Sequence, residues 1–218
     1  VRDQVRDRDY DHWFDNNFWQ DHPYLTWRYA TGFNPWLWGT WAGVTGWMGG
    51  TWSEPAYYSY GEDVYYDDGT VYYDDQPYAT AEEYATEAQE IATSAPEVDQ
   101  AAVEWLPLGV FAITQDGRAN GPEPTMFVQL AVSKEGVISG TFQNTATDKV
   151  QSVEGMVDKK SQRVAWGIVD KKWPIMETGL QNLTQDTAPA LVHFENGETQ
   201  QWLLVRLDQP QAESTQEK

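Results

Sequence analysis

Residues 126–142, MFVQLAVSKEGVISGTF, are the stretch that decides the fold. Met126, Val128, Leu130 and Val132 alternate with Phe127, Gln129 and Ala131, the period of two that sends successive side chains to opposite faces of a strand. Lys134-Glu135-Gly136 is too short for a crossover and reads as a hairpin loop into a second strand from Val137. Working outward, candidate strands fall at 107–114, 126–133, 137–144, 150–158, 163–169, 175–180, 189–195 and 199–207. Asn196-Gly197 reads as a two-residue type I′ turn, which pairs Phe194 with Thr199 and His193 with Gln200. Residues 104–207 are therefore expected to form an antiparallel β-domain, an eight-stranded meander barrel or a sandwich. Residues 208–218 read as a polar tail.

The chain in front of this domain has a different composition. Residues 1–103 carry 4 Lys+Arg against 19 Asp+Glu, and residues 104–218 carry 10 against 15. All 12 Tyr lie at or before Tyr84, and eight of the 12 Trp at or before Trp52. This asymmetry argues for separate units: a charged and aromatic arm over 1–22, a Trp/Tyr-rich acidic unit over 23–103, the β-domain and the tail.

Within the acidic unit, Val64-Tyr65-Tyr66-Asp67-Asp68 recurs as Val71-Tyr72-Tyr73-Asp74-Asp75 across Asp68-Gly69, a preferred type I′ dipeptide. The turn makes 62–75 a hairpin that pairs Val64 with Tyr73, Tyr65 with Tyr72, Tyr66 with Val71 and Asp67 with Thr70. Val64, Tyr66, Val71 and Tyr73 then share one face. Residues 80–94 read as a helix: Thr80 and Glu83 have capping-box spacing, Tyr84, Ala88, Ile91 and Ala92 form a stripe, and Pro96 ends it. A short tryptophan-rich helix is expected near 37–48, with Trp38, Trp41 and Ala42 on one face. The chain is thus mainly β, with an aromatic-rich segment, a hairpin and one α-helix ahead of the barrel or sandwich.

The net charge of −20 opposes binding to nucleic acid or anionic membrane surfaces, and no apolar run is long enough to span a membrane. The absence of cysteine excludes disulfides, thiolate metal sites and cysteine nucleophiles. His12, His22 and His193 are the only histidines, and no HExxH, GxSxG, P-loop or GxGxxG string occurs. An enzyme is not expected.

The strings YATAEEYATEAQEIA (78–92), EWLPLGVFAIT (104–114), QLAVSKEGVISGTF (129–142), VEGMVDKKSQRVAWGI (153–168) and TQQWLLVRL (199–207) resemble a family of uncharacterised secreted planctomycete cell-surface proteins, sometimes labelled protocadherin-like. The resemblance covers roughly residues 24–207 and implies export and a surface location. It implies no activity, and the calcium strings of cadherin repeats do not occur. Gly140-Thr141-Phe142, Val153–Asp158, Ala165-Trp166 and Gln201-Trp202-Leu203-Leu204 are similar in order to strand motifs of avidin-like and other calycin barrels, which implies a meander barrel.

Function is accordingly expected to be structural or adhesive at the cell surface, by self-association or contact with other surface proteins. The alternative is a binding module. Trp36, Trp38 and Trp41 are candidates to stack on a glycan, and Trp166 and Trp202 to line a cavity for a small apolar ligand. Asp63 and Asp74 face each other as like charges with Asp67 along the same face, making them candidates for a weak calcium site.

Overall fold

The computed structural model describes residues 34–97, 103–115 and 123–209. Helix α1 (Trp41–Met48) comes first, then strands β1 (Val64–Asp67), β2 (Thr70–Tyr73) and β3 (Gln76–Thr80), and helix α2 (Ala81–Thr93). Eight strands follow: β4 (Trp105–Gln115), β5 (Met126–Ser133), β6 (Val137–Asn144), β7 (Lys149–Val157), β8 (Arg163–Ile168), β9 (Ile175–Gly179), β10 (Thr187–His193) and β11 (Thr199–Arg206). A 3-10 turn, Asn182–Thr184, lies between β9 and β10. The N-terminal arm, with His12 and His22, and most of the C-terminal tail fall outside the described residues.

Strands β4 to β11 pair antiparallel in chain order, and β11 returns to β4, so the β-domain is a closed up-and-down barrel rather than a sandwich. Closure removes both sheet edges. Val128, Leu130, Val132, Ile138, Val153, Val157, Val164, Trp166 and Leu204 fill one contiguous core. The outer face of β4, β5 and β11 is also buried, with Val110, Ala112, Phe127 and Val205 packed around Trp36. Covering both faces explains why these strands are apolar at alternate and intervening positions alike.

One end of the barrel is plugged. Val44 and Met48 of α1, with Leu183 of the 3-10 turn and Leu180 just ahead of it, belong to the barrel core. The helix starts because Thr40 Oγ1 accepts the Gly43 amide, and Lys159 Nζ reaches the Met48 carbonyl at 3.2 Å. Arg206 locks this end, donating to the carbonyls of Gln185, Leu108 and Leu183 at 3.1, 2.7 and 2.6 Å. Its guanidinium lies against the rings of Trp38 and Phe111 at 4.1 and 4.6 Å.

The tyrosine-rich segment forms a cap on the outside of the barrel. The β1–β2 register is the expected one, with Asp68 and Gly69 both at positive φ. Val64 and Val71 are buried with Tyr58, Tyr60 and Tyr84 against Leu191 of β10. Helix α2 has the full capping box and packs Ala88 and Ala92 on Ala165 and Ile175. The connecting stretch is held by side chains that imitate a strand partner. Gln162 accepts the Ala56 amide and donates to the Glu54 carbonyl, while Asn182 bonds both the N–H and the C=O of Tyr58.

Three expectations are corrected. The hairpin is part of a three-stranded sheet, because the chain after Asp75 turns back and Gln76–Thr80 pairs with β2. Trp38 lies ahead of α1, since the Thr40 cap starts the helix three residues later than its aromatic face requires. The β10–β11 register is shifted by one: His193 pairs with Thr199 and Val192 with Gln200. The loop holds three residues, Glu195 to Gly197, closed by the Phe194 amide on the Glu198 carbonyl. Gly197 alone takes positive φ there, and Asn196 Oδ1 caps the Glu198 amide instead of entering the left-handed region.

Candidate binding sites in and on the barrel

The end opposite the plug carries a cavity of about 170 Å³. Its wall comes from alternate, inward positions on the barrel strands: Ile113, Met126, Phe142, Val153, Trp166 and Met176, with Trp202 and Pro174 near the opening. The Trp202 indole N–H is turned away from the cavity into a rim chain, donating to Gln200 Oε1 at 3.0 Å, while Gln200 Nε2 donates to Glu198 Oε1 at 2.7 Å. The wall thus presents rings, methyls and thioethers and offers no acid, base or nucleophile. An apolar molecule entering it exchanges water contact for dispersion contact with the wall. A dry apolar cavity of about 150 Å³ is large enough for benzene.

A second constellation lies on the outer surface of the barrel, sealed beneath the cap. Arg163 at the start of β8, Glu177 on β9 and His193 at the end of β10 have their side chains together because their positions face outward on adjacent strands. Arg163 Nε and Nη2 bond Glu177 Oε2 at 2.8 and 2.7 Å, and His193 Nε2 meets Glu177 Oε1 at 2.9 Å. His193 Nδ1 meets Thr199 Oγ1 at 2.9 Å, a contact created by the one-residue register shift. Arg163 also ties α2 down, through Glu87 Oε2 and the Tyr84 carbonyl at 2.8 and 3.3 Å. Burial pushes the Glu177 carboxyl up, but the Arg163 charge and the hydrogen bond and charge of His193 together hold it below the ordinary range. Tyr60 and Tyr84 are pushed well above the usual phenol value, by burial first and the Glu177 charge next.

The residues singled out from sequence are distributed as follows. Trp166 and Trp202 both line the barrel cavity. Trp36, Trp38 and Trp41 do not make one platform. Trp36 is 9% exposed within the outer cluster, Trp38 lies on Arg206, and Trp41 meets Trp52 edge-on at 5.7 Å while packing on the barrel core. Asp63, Asp67 and Asp74 are all exposed, and among the described residues no three His, Asp or Glu side chains are grouped to hold a metal ion. The Arg163–Glu177–His193 cluster carries no local motif, since its members come from three strands. The only trace in the sequence is a lone charge inside each of two otherwise buried strands. Among the described residues no helix is long and apolar enough to cross a membrane.

No family model, curated protein or solved structure matches the chain. The fold and the cavity therefore define it only as a closed eight-stranded up-and-down barrel with one plugged end and one apolar mouth.

Proposed function

We propose that the protein is a non-enzymatic binding module that takes a small apolar molecule, the size of one or two fused rings, into the mouth of its barrel. The observation that carries this reading is the apolar cavity of about 170 Å³ between Trp166 and Trp202, on a scaffold whose other end is locked. Rigid walls suit binding, because little order has to be imposed when the guest enters. An extracytoplasmic setting belongs to the proposal and is supported by the sequence resemblance. The test is a thermal-shift titration with p-xylene, indole and naphthalene. A saturable rise in Tm supports the reading, and it should vanish in Val153→Phe, whose added ring fills the cavity. Ile113→Phe serves if the first variant melts poorly. Flat curves with all three compounds overturn the reading.

A second reading, self-association at a surface, is favoured by the adjacent Leu37 and Trp38, which are 58% and 42% exposed. Sedimentation over a hundred-fold concentration range tests it. Growth in mass that Leu37→Asp abolishes supports it, and a constant monomer mass removes it.

A further inference from the structure

The lip of the mouth and helix α2 share one short piece of chain. From Trp173 to Met176 successive side chains point in opposite directions. Trp173 and Ile175 pack with Ala88 and Ala92 of α2, on the outside of the barrel. Pro174 and Met176 line the cavity, on the inside. The adjacent strand β8 repeats the pattern: Ala165 lies under α2 and Trp166 faces the cavity. Trp166 pairs with Met176, and Gly167 with Ile175. The wall between helix and cavity is therefore a single layer of β-strand. It is closely packed, since a Cβ at Gly167 would stand 3.0 Å from Ile175 Cδ1 and 3.5 Å from the Pro174 carbonyl oxygen. A further tie comes from Gln89 of α2, whose Nε2 donates to the Lys172 carbonyl at 3.4 Å.

We propose, on the reading of the mouth as a site for a small apolar molecule, that Trp173 is a positioning residue through which the docked helix α2 sets the affinity for that guest. Trp173 lies outside the cavity lining and is half-buried against the α2 cluster. Trp173 and Pro174 precede the first β8–β9 pair, so their position depends on side-chain packing more than on the strand ladder. With α2 docked, the indole and Ile175 are held from outside, and the backbone between them fixes where the Pro174 ring and the Met176 thioether meet the guest. With α2 locally released, Trp173 loses its seat and the lip is free to shift. Affinity is lower in that released state. By the reciprocity of linkage, a bound guest holds α2 down by the same factor.

Calorimetric titration of the whole chain with p-xylene, well below the melting temperature, is the first test. Trp173→Ala is expected to bind at least about 5-fold more weakly than the parent. Trp173→Phe, which keeps a ring against α2, should recover most of that loss. A tryptophan that only adds stability would lower Tm and leave the dissociation constant alone, and that result would overturn the proposal. The second test is hydrogen exchange on the parent chain, which decides the matter if Trp173→Ala does not fold. Amides over 81–93 that exchange through local release of α2 should slow about 5-fold when p-xylene saturates the protein. If only the slowest barrel amides respond, guest and helix are uncoupled and Trp173 has no part in binding, while the mouth keeps its guest. If p-xylene does not bind the parent at all, the mouth reading falls and the coupling falls with it.

Discussion

Arg163 Nη2 lies 2.7 Å from Glu177 Oε2, with side chains 3% and 0% exposed, so a full ion pair is enclosed between the barrel wall and its cap. Taking two charges out of water is costly, and such a pair is held only where geometry and further hydrogen bonds compensate. Here the remaining Arg163 donors reach Glu87 and the Tyr84 carbonyl on α2, and the remaining Glu177 oxygen meets His193. The pair therefore joins three barrel strands to the helix that covers them, and specifies where the cap docks.

Removing one partner should be far worse than removing both. Glu177→Ala leaves the buried guanidinium with only the partly exposed Glu87 carboxylate as counter-charge and is expected to cost about 3 kcal/mol in urea denaturation. Replacing the pair together, Arg163→Met with Glu177→Leu, is expected to fall well short of that loss. A double variant as weak as Glu177→Ala would show that the hydrogen bonds to α2, rather than charge balance, dominate.

The same pair sets the acid limb of stability. Burial opposes ionisation of Glu177, but Arg163 and His193 outweigh it and hold the folded pKa below the ordinary carboxylate value. A depressed carboxylate contributes stability that is present above its unfolded pKa, about 4.3, and is lost as pH falls through the folded value. Tm should therefore hold from neutral pH down to about 5 and drop below about 4. Glu177→Gln should start lower at pH 7 and approach the parent in acid. Parallel curves for the two proteins would assign the acid limb to other groups, such as Asp158, whose burial is outweighed by hydrogen bonds from Ser161 and Lys160.

The barrel was legible in sequence because its signals are local. Lys134-Glu135-Gly136 and the alternation around it place β5 and β6, and Asp68-Gly69 fixes the β1–β2 register residue by residue. Asn196-Gly197 misled by one step, because the left-handed conformation was needed at Gly197 alone. That step moved His193 opposite Thr199 and so concealed part of the buried cluster. Strand β3 was concealed by Pro77, which is tolerated because this strand is an edge. The Arg163–Glu177–His193 site was not legible at all: its partners are 14 and 16 residues apart, and the pairing of β9 with its two neighbouring strands brings them together without any local motif. The mouth was partly legible, since Trp166 and Trp202 sit at inward strand positions, whereas Pro174 and Met176 join them only through the path of the chain into β9.

Helix α2 depends on its first turn. Thr80 Oγ1 accepts the Glu83 amide at 3.1 Å, and Glu83 Oε2 accepts the Thr80 amide at 2.8 Å. Thr80→Ala is expected to cost about 1 kcal/mol. Because α2 carries Tyr84 and Glu87, hydrogen exchange should rise over 81–93 before the barrel amides respond. Uniform loss of protection across the chain would show instead that cap and barrel unfold as one unit.

Gly109 is where the plugged end has no tolerance. Its φ is +122°, and a Cβ placed there would stand 2.0 Å from Arg206 Nη1 and 3.2 Å from Cζ. The guanidinium occupies that space because three carbonyls, those of Leu108, Leu183 and Gln185, converge on its edge. Gly109→Ala must displace it and strain the backbone at once. Arg206→Lys keeps the charge but replaces a planar fork with a point donor that cannot span carbonyls on β4, the 3-10 turn and the loop after it. Each variant is expected to cost about 2–4 kcal/mol, from lost charged hydrogen bonds and orphaned carbonyls. The double variant should cost clearly less than the sum, because both act through one side chain. Simple additivity in equilibrium denaturation would mean that the Gly109 backbone, not the Arg206 clasp, closes this end. In folded Arg206→Lys, apolar guests should still bind at the opposite mouth, because no residue of the clasp lines that cavity.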